Sequence, residues 1–182
     1  MAYSGLCTGL GSRVNVKLMG QYILWALDSE EEDCARVACG LISDISSALE
    51  ANIEEYLTSF VPELLKVLKS PQRQRVSKLH ALQSLSDLAI YCPIRYAEHY
   101  LKDTLVILQQ AGQISLTPVN IEEDPELGEY MQELRTNVIN CYTTVIGAAK
   151  DSNLQNQVLA EIVGIMNFLQ QCVQNQYGYV SF

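Results

Sequence analysis

A chain of 182 residues is long enough for one domain with its own core, and at 48% apolar residues it is too hydrophobic to stay disordered. Its 12 basic side chains against 21 acidic ones give a net charge of −9, which argues against sequence-independent nucleic-acid binding, a mode that needs Lys and Arg to displace counterions. No apolar run approaches the roughly 20 residues of a membrane span, and Met1–Leu10 lacks the basic start of a signal peptide.

Helical periodicity marks the predicted helices in chain order. Met1–Leu10 is small and apolar and stops at Gly11. Val14–Leu27 follows and stops at Asp28. After the acidic run Glu30–Asp33 comes Cys34–Leu49, in which Val37, Leu41, Ile45 and Leu49 fall on one face. Asn52 with Glu55 three residues on reads as a capping box for a helix that buries Leu57, Phe60, Val61, Leu64 and Leu68. Pro62 inside it predicts a local bend. Ser70-Pro71 ends that helix. Val76–Tyr91 is next, with Ala81, Leu82, Leu85, Leu88, Ala89 and Cys92 inward and His80, Gln83, Asp87 and Tyr91 outward; Cys92-Pro93 stops it.

Arg95–Gln110 buries Leu101, Leu105 and Leu108, and Ala111–Asp124 then reads as a surface loop inside one repeat, long for a helix–helix connection. Asp124-Pro125 is a strong start, a cap followed by proline at the first helical position. The helix from Pro125 to Lys150 buries Leu134, Val138, Tyr142 and Val145. A final helix covers Asp151–Val173, and Gln174–Phe182 shows no pattern and is expected to fray.

The helices pair, and the pairs recur. Leu27-Asp28-Ser29, Leu68-Lys69-Ser70 and Leu108-Gln109-Gln110 stand at spacings of 41 and 40 residues (27 to 68 to 108). Ile42-Ser43-Asp44-Ile45 and Leu85-Ser86-Asp87-Leu88 match at 43 (42 to 85). That period is the mark of HEAT or armadillo arrays, in which neighbours stack to bury faces that one pair cannot bury alone. The expected fold is therefore all-α, a HEAT-repeat α-solenoid of about four antiparallel helix pairs over residues 1–173. Its ends look incomplete. Gly5-Leu6-Cys7-Thr8 parallels Gly40-Leu41-Ile42-Ser43 of a second helix, and the last helix looks like a first helix without its partner.

Chemistry-bearing residues are sparse. The six cysteines, Cys7, Cys34, Cys39, Cys92, Cys141 and Cys172, form no C-x-x-C pair and read as reduced core thiols of a reducing compartment. Two histidines and no zinc spacing argue against a metal site, and no cofactor is expected. His80 and His99 read as exposed helix residues, and Glu122-Glu123-Asp124 as a solvated loop without EF-hand spacing. Trp25 reads as core or inter-repeat packing. No nucleophile elbow or phosphate-cradling glycine loop occurs, so the chain is expected to bind rather than catalyse.

Ala38-Cys39-Gly40-Leu41-Ile42-Ser43-Asp44-Ile45, the run Ala48–Ile53, Tyr100-Leu101 through Ala111, Tyr130–Arg135 and Cys141–Ile146 occur in a consistent order. On them, the stretch from Met1 to Phe168 resembles the C-terminal half of the importin-β (karyopherin-β) family of nuclear transport receptors. Asp28 and Arg36 fit the Asp and Arg common in such repeats, while Lys69 replaces the Asp in the next one, and the match fades after Phe168. The resemblance implies a concave face of second helices that grips the basic segment of an importin-α-type adaptor. It implies a convex face of first helices that holds phenylalanines of FG nucleoporins. Ran-GTP would bind mainly through an N-terminal half that this chain lacks, and the expected location is cytoplasm, nucleus and nuclear pore. Neither nucleic acid nor membrane is an expected partner. On this basis Asp44, Asp87, Glu129 and Glu133 are the candidate adaptor stripe, and Leu57, Phe60, Leu64, Leu101 and Leu105 the candidate FG slots. The other reading is a different HEAT scaffold, such as a phosphatase regulatory subunit.

Overall fold

The structure is a computed structural model, and it describes residues 5, 9, 10, 15–120 and 122–178, of which 175–178 are described by backbone alone. Among the described residues the regular elements are helical. They are α1 (Val16–Asp28), α2 (Glu32–Leu49), a 3-10 helix (Glu50–Tyr56), α3 (Leu57–Lys69), α4 (Arg75–Tyr91), α5 (Pro93–Ser115), α6 (Pro125–Asp151) and α7 (Gln155–Gly178). The helix expected over Met1–Leu10 lies, apart from Gly5, Gly9 and Leu10, outside the described residues.

Local chemistry sets the boundaries. The Asn15 side chain accepts from the Leu18 amide at 3.1 Å and caps α1. Asp124 caps α6 by accepting from the Leu127 amide at 2.9 Å, with Pro125 at the first helical position, as the sequence predicts. At the far end of α6, Asn153 takes a positive φ of 59°, and the Leu154 amide closes back on the Ala149 carbonyl at 2.8 Å.

Pairs α1–α2, α3–α4 and α5–α6 pack side by side, and the pairs stack. First helices form one layer, α1 on α3 on α5 on α7, and second helices the other, α2 on α4 on α6. This is the expected all-α solenoid. A single core runs through it, with Tyr96, Phe60, Ile42, Leu64, Leu85 and Leu108 among its fully buried side chains. Tyr96 meets its polar requirement inside that core through a 2.9 Å hydrogen bond to the Thr104 hydroxyl. Contacts between neighbouring repeats recur at the repeat spacing, as when Ser43 Oγ on α2 donates to Ser84 Oγ on α4, 41 residues on.

Several expectations need correction. Asn52 caps nothing; it lies inside the 3-10 helix that carries the chain from α2 into α3. Val37 is half-exposed, and α2 instead buries Ala35, Ala38, Cys39, Ile42, Ile45, Ser46 and Leu49, because it must face α1 and α4 together. Helix α5 continues through Gly112 to Ser115, which shortens the predicted loop to residues 116–124. Gly112 stays helical because α7 presses on it: a Cβ there would stand 3.1 Å from the Phe168 ring. The shortened loop still joins the two helices of one repeat, and its described residues are mostly exposed.

Candidate functional site

The second-helix layer places the four stripe carboxylates on α2, α4 and α6. They fall into two settings. Asp44 and Asp87 are half-buried neighbours on adjacent helices. Burial raises the Asp87 carboxyl above its ordinary value, and the charge of Asp44 adds to the rise. Hydrogen bonds from Ser43 and Gln83 work the other way. The Gln83 amide donates to Asp87 Oδ1 at 3.0 Å.

Glu129 and Glu133 are exposed, one turn apart on α6, and neither forms an ion pair with another described residue. They line a groove of about 720 Å³ between α4 and α6, opposite Val76, Leu79, His80 and Gln83. Gln83 thus belongs both to the groove and to the Asp87 contact, so the two pairs of carboxylates share one surface. The Arg75 guanidinium lies 5.4 Å from the Tyr130 ring centre and also bridges α4 to α6.

His80 is half-buried, not the exposed residue the sequence suggests, whereas His99 is exposed. Burial lowers the His80 pKa below its ordinary value, the nearby Arg36 lowers it further, and Glu133 across the groove opposes both. His80 and Gln83 lie on the non-core face of α4 together with Asp87. That pattern is visible in the sequence; their meeting with α6 is not.

The first-helix candidates fare differently. Leu57, Phe60, Leu64, Leu101 and Leu105 are each 4% exposed or less, so the structure places them in the core and not along an open slot. Helices α3 and α5 turn these stripes inward because α4 and α6 cover them. Trp25, expected to pack in the core or between repeats, is 68% exposed.

Burial also accounts for the thiols. Cys39, Cys92, Cys141 and Cys172 are buried, and burial pushes the Cys39 and Cys141 thiols up to about 12 and Cys92 to about 11. Cys34 is half-buried, and Cys7 lies outside the described residues. Among the described residues no group of His, Cys, Asp and Glu is placed to hold a metal ion, and no helix is long and apolar enough to cross a membrane.

Comparison with known families fits this arrangement. Residues 2–179 match the family model described as importin subunit beta-1-like, TPR repeats. The chain belongs to the importin β-1-like family. Like HEAT repeats, TPR repeats are stacked helix pairs, and the contacts 41 to 46 residues apart across this fold have the longer HEAT period. Importin subunit beta-1 of Schizosaccharomyces pombe is 30% identical over 129 residues, covering 70% of this chain and 14% of that protein. Importin subunit beta-1 of Arabidopsis thaliana is 26% identical over 140 residues, covering 77% of this chain and 16% of its own length. A chain from the solved complex of Kap95p with RanGDP shares the fold at a TM-score of 0.79 and 21% identity, over 92% of this chain and 19% of that one. The importin β-1-like chain described here therefore spans a small part of the relatives it matches.

Proposed function

We propose that this chain is a protein-binding part of a nuclear transport receptor, and that its second-helix ridge holds the basic segment of an importin-α-type adaptor. The observation that carries this reading is the surface shared by Asp44, Asp87, Glu129 and Glu133, in which the two glutamates face an open groove without a cationic partner. A cationic segment laid across α4 and α6 meets several carboxylates together. Each exposed pair contributes only about 0.2–1 kcal/mol, so affinity comes from their sum and falls as salt rises.

The family match favours a transport receptor over a phosphatase scaffold. Shuttling between cytoplasm and nucleus follows from the receptor reading. An FG-nucleoporin site on the first-helix layer needs exposed apolar slots, and the five candidates there are core residues. No Ran site is assigned to these repeats, because the resemblance puts Ran-GTP on the other half of a receptor.

The test is fluorescence anisotropy of a labelled basic adaptor segment, titrated at low and high salt. Binding should weaken with salt, and Glu129→Lys with Glu133→Lys should weaken it about tenfold further, the sum of two lost pairs and the repulsion that replaces them. Circular dichroism of that double variant should match the parent. Equal binding by parent and double variant at both salt levels would refute the acidic-ridge reading.

A further inference from the structure

The turns inside the second and third helix pairs run over residues 70–74 and 116–124. Each holds a hydroxyl residue followed by proline, Ser70-Pro71 and Thr117-Pro118, and none of the other prolines has a serine or threonine before it. The two settings differ. Ser70 is half-buried, accepts from the Gln72 amide on its Oγ at 3.3 Å, and lines a cavity of about 540 Å³ with Lys66 and Arg73. Thr117 and Pro118 are exposed, and residues 118–120 belong to no regular element. Proline disfavours helical backbone in the residue before it, so Thr117 stands where α5 can no longer continue.

The end of α5 next to Thr117 is fixed. Its last four carbonyls all have donors. Ser115 Oγ donates to Gly112 at 2.7 Å, the Leu116 amide to Gln113 at 3.2 Å, the Thr117 amide to Ile114 at 3.0 Å, and Arg135 of α6 to Ser115 at 2.7 Å. Arg135 uses one terminal nitrogen for that bond and forms no ion pair with another described residue. Its Nε is the one buried side-chain nitrogen or oxygen among the described residues without a hydrogen-bond partner, and such a group calls for an explanation. A half-buried guanidinium with unused donors, bonded two residues before an exposed Thr-Pro, suits the three acceptor oxygens of a phosphate. We propose that Thr117 is a phosphorylation site for a proline-directed protein kinase and that Arg135 receives the phosphate. In the transfer the Thr117 oxygen bonds to the γ-phosphorus of a nucleoside triphosphate. The bond from that phosphorus to the β–γ bridging oxygen breaks, the nucleoside diphosphate leaves, and the hydroxyl proton passes to the base of the kinase. The product adds a charge of about −1.5 to −2. It stands beside the carbonyl end of α5 and in the same loop as Glu122, Glu123 and Asp124, all of which oppose it. Arg135 is the group that offsets them, and by holding the phosphate it ties the loop to α6.

The test incubates the full chain with a proline-directed kinase and magnesium ATP and maps the product by mass spectrometry. The phosphate should be found on Thr117, and Thr117→Ala, a change at an exposed position, should take up none. Phosphorus NMR then follows the second ionisation of the phosphate, which has a pKa of about 6 when unperturbed. In the folded phosphoprotein it should lie about half a unit or more below its value in the same protein unfolded in urea. The neighbouring acids and the α5 carbonyls push it the other way, so a downward shift marks the cation. Arg135→Gln should abolish that shift, and Arg135→Lys should keep part of it. Hydrogen exchange at residues 116–120 should slow on phosphorylation of the parent and not of Arg135→Gln. An unmodified Thr117, or a phosphate on Ser70 in its place, overturns the proposal. So does a phosphate pKa that folding leaves unchanged or raises, a result that the parent alone supplies even where Arg135→Gln fails to fold. A downward shift that persists in a folded Arg135→Gln overturns the role of Arg135.

Discussion

Arg73 reaches back across a whole repeat to Leu27, donating from one guanidinium nitrogen to its carbonyl at 2.6 Å. The other terminal nitrogen donates to the Ser29 carbonyl at 2.5 Å and stands 3.6 Å from a Glu32 carboxylate oxygen. Glu32 in turn accepts from Ser77 at 2.8 Å. A cation is thereby fixed at the C-terminal end of α1, where carbonyls lack helical partners. Arg73→Ala should cost about 1–3 kcal/mol, since charged hydrogen bonds are lost and Glu32 keeps only Ser77. Arg73→Lys should recover less than half, because one ammonium cannot span both carbonyls as the planar fork does. Urea denaturation of the three proteins measures both differences.

Two helical glycines should respond differently to alanine. A Cβ on Gly40 meets nothing within 4 Å, so Gly40→Ala should stabilise the chain by about 0.5–1 kcal/mol through reduced backbone entropy. At Gly112 the same change presses on Phe168, which is buried against Tyr142 with ring centres 6.1 Å apart. Gly112→Ala should therefore forfeit that gain, and Gly112→Leu should lift α7 from α5. Hydrogen exchange should then accelerate in α7 while α2 and α4 keep their protection. Unchanged exchange in α7 would show that Phe168 can move aside.

Phe60 separates a core role from a binding role. It is fully buried and stacks against Tyr56 with ring centres 6.0 Å apart. Phe60→Ala should cost about 3–5 kcal/mol, the range for large buried aromatics. Thermal unfolding would show this directly. A variant that kept its parent's stability would place Phe60 outside the core after all.

Asp87 should be a carboxylate that the fold tolerates at a cost. Its pKa is raised by burial and by Asp44, so the folded state favours the protonated form. The sign follows from linkage. The stabilising contribution is full below the unfolded-state value of about 4 and is lost as pH rises through the higher folded value. At neutral pH the charged group thus destabilises. Asp87→Asn should raise the urea midpoint at neutral pH, with Gln83 and Ser43 still hydrogen-bonded, and the gain should vanish in acid where both side chains are neutral. The same change should weaken binding of a basic segment, and that loss would give the charge a functional reason to be there.

Much of this organisation is legible in the chain itself. Asp124-Pro125, Cys92-Pro93 and Ser70-Pro71 mark ends that the structure keeps within a few residues, because capping and proline geometry act locally. The recurring Ile42-Ser43-Asp44-Ile45 and Leu85-Ser86-Asp87-Leu88 runs locate the stacked second helices for the same reason: each repeat meets like neighbours. What the sequence hides is set by contacts between helices. Gly112 reads as a terminator until Phe168 supplies a reason to stay helical. Glu50 turns the chain out of α2 with a φ of 49° that no glycine announces. Helix α4 buries Ser77, Ser84 and Ser86 beside its leucines, since it is packed by α2, α3 and α6, and no single apolar stripe describes it. The acidic stripe is readable as four positions, but the α4–α6 groove that joins Glu129 and Glu133 to His80 appears only when the helices stack.

His80 offers the most direct probe of that groove. Burial and the positive Arg36 hold its pKa below the ordinary value, and Glu133 is the group that pulls it back up. Arg36 is itself held by Asp33, through hydrogen bonds of 3.0 and 3.3 Å to one carboxylate oxygen. Glu133→Gln should therefore lower the His80 pKa further, and Arg36→Gln should raise it. The native state binds fewer protons at this site than the unfolded chain. The contribution of His80 to stability is thus complete above the unfolded value of about 6.5 and is lost as pH falls through the folded one. His80→Gln should remove that slope while leaving stability at pH 8 or above close to the parent's. A basic segment seated on Glu133 should act like Glu133→Gln, because it neutralises the one charge that favours the imidazolium. Following the imidazole proton shifts by NMR, with and without the segment, measures each of these movements. A His80 titration indifferent to Glu133→Gln and to a bound basic segment would place the ligand elsewhere than the groove between α4 and α6.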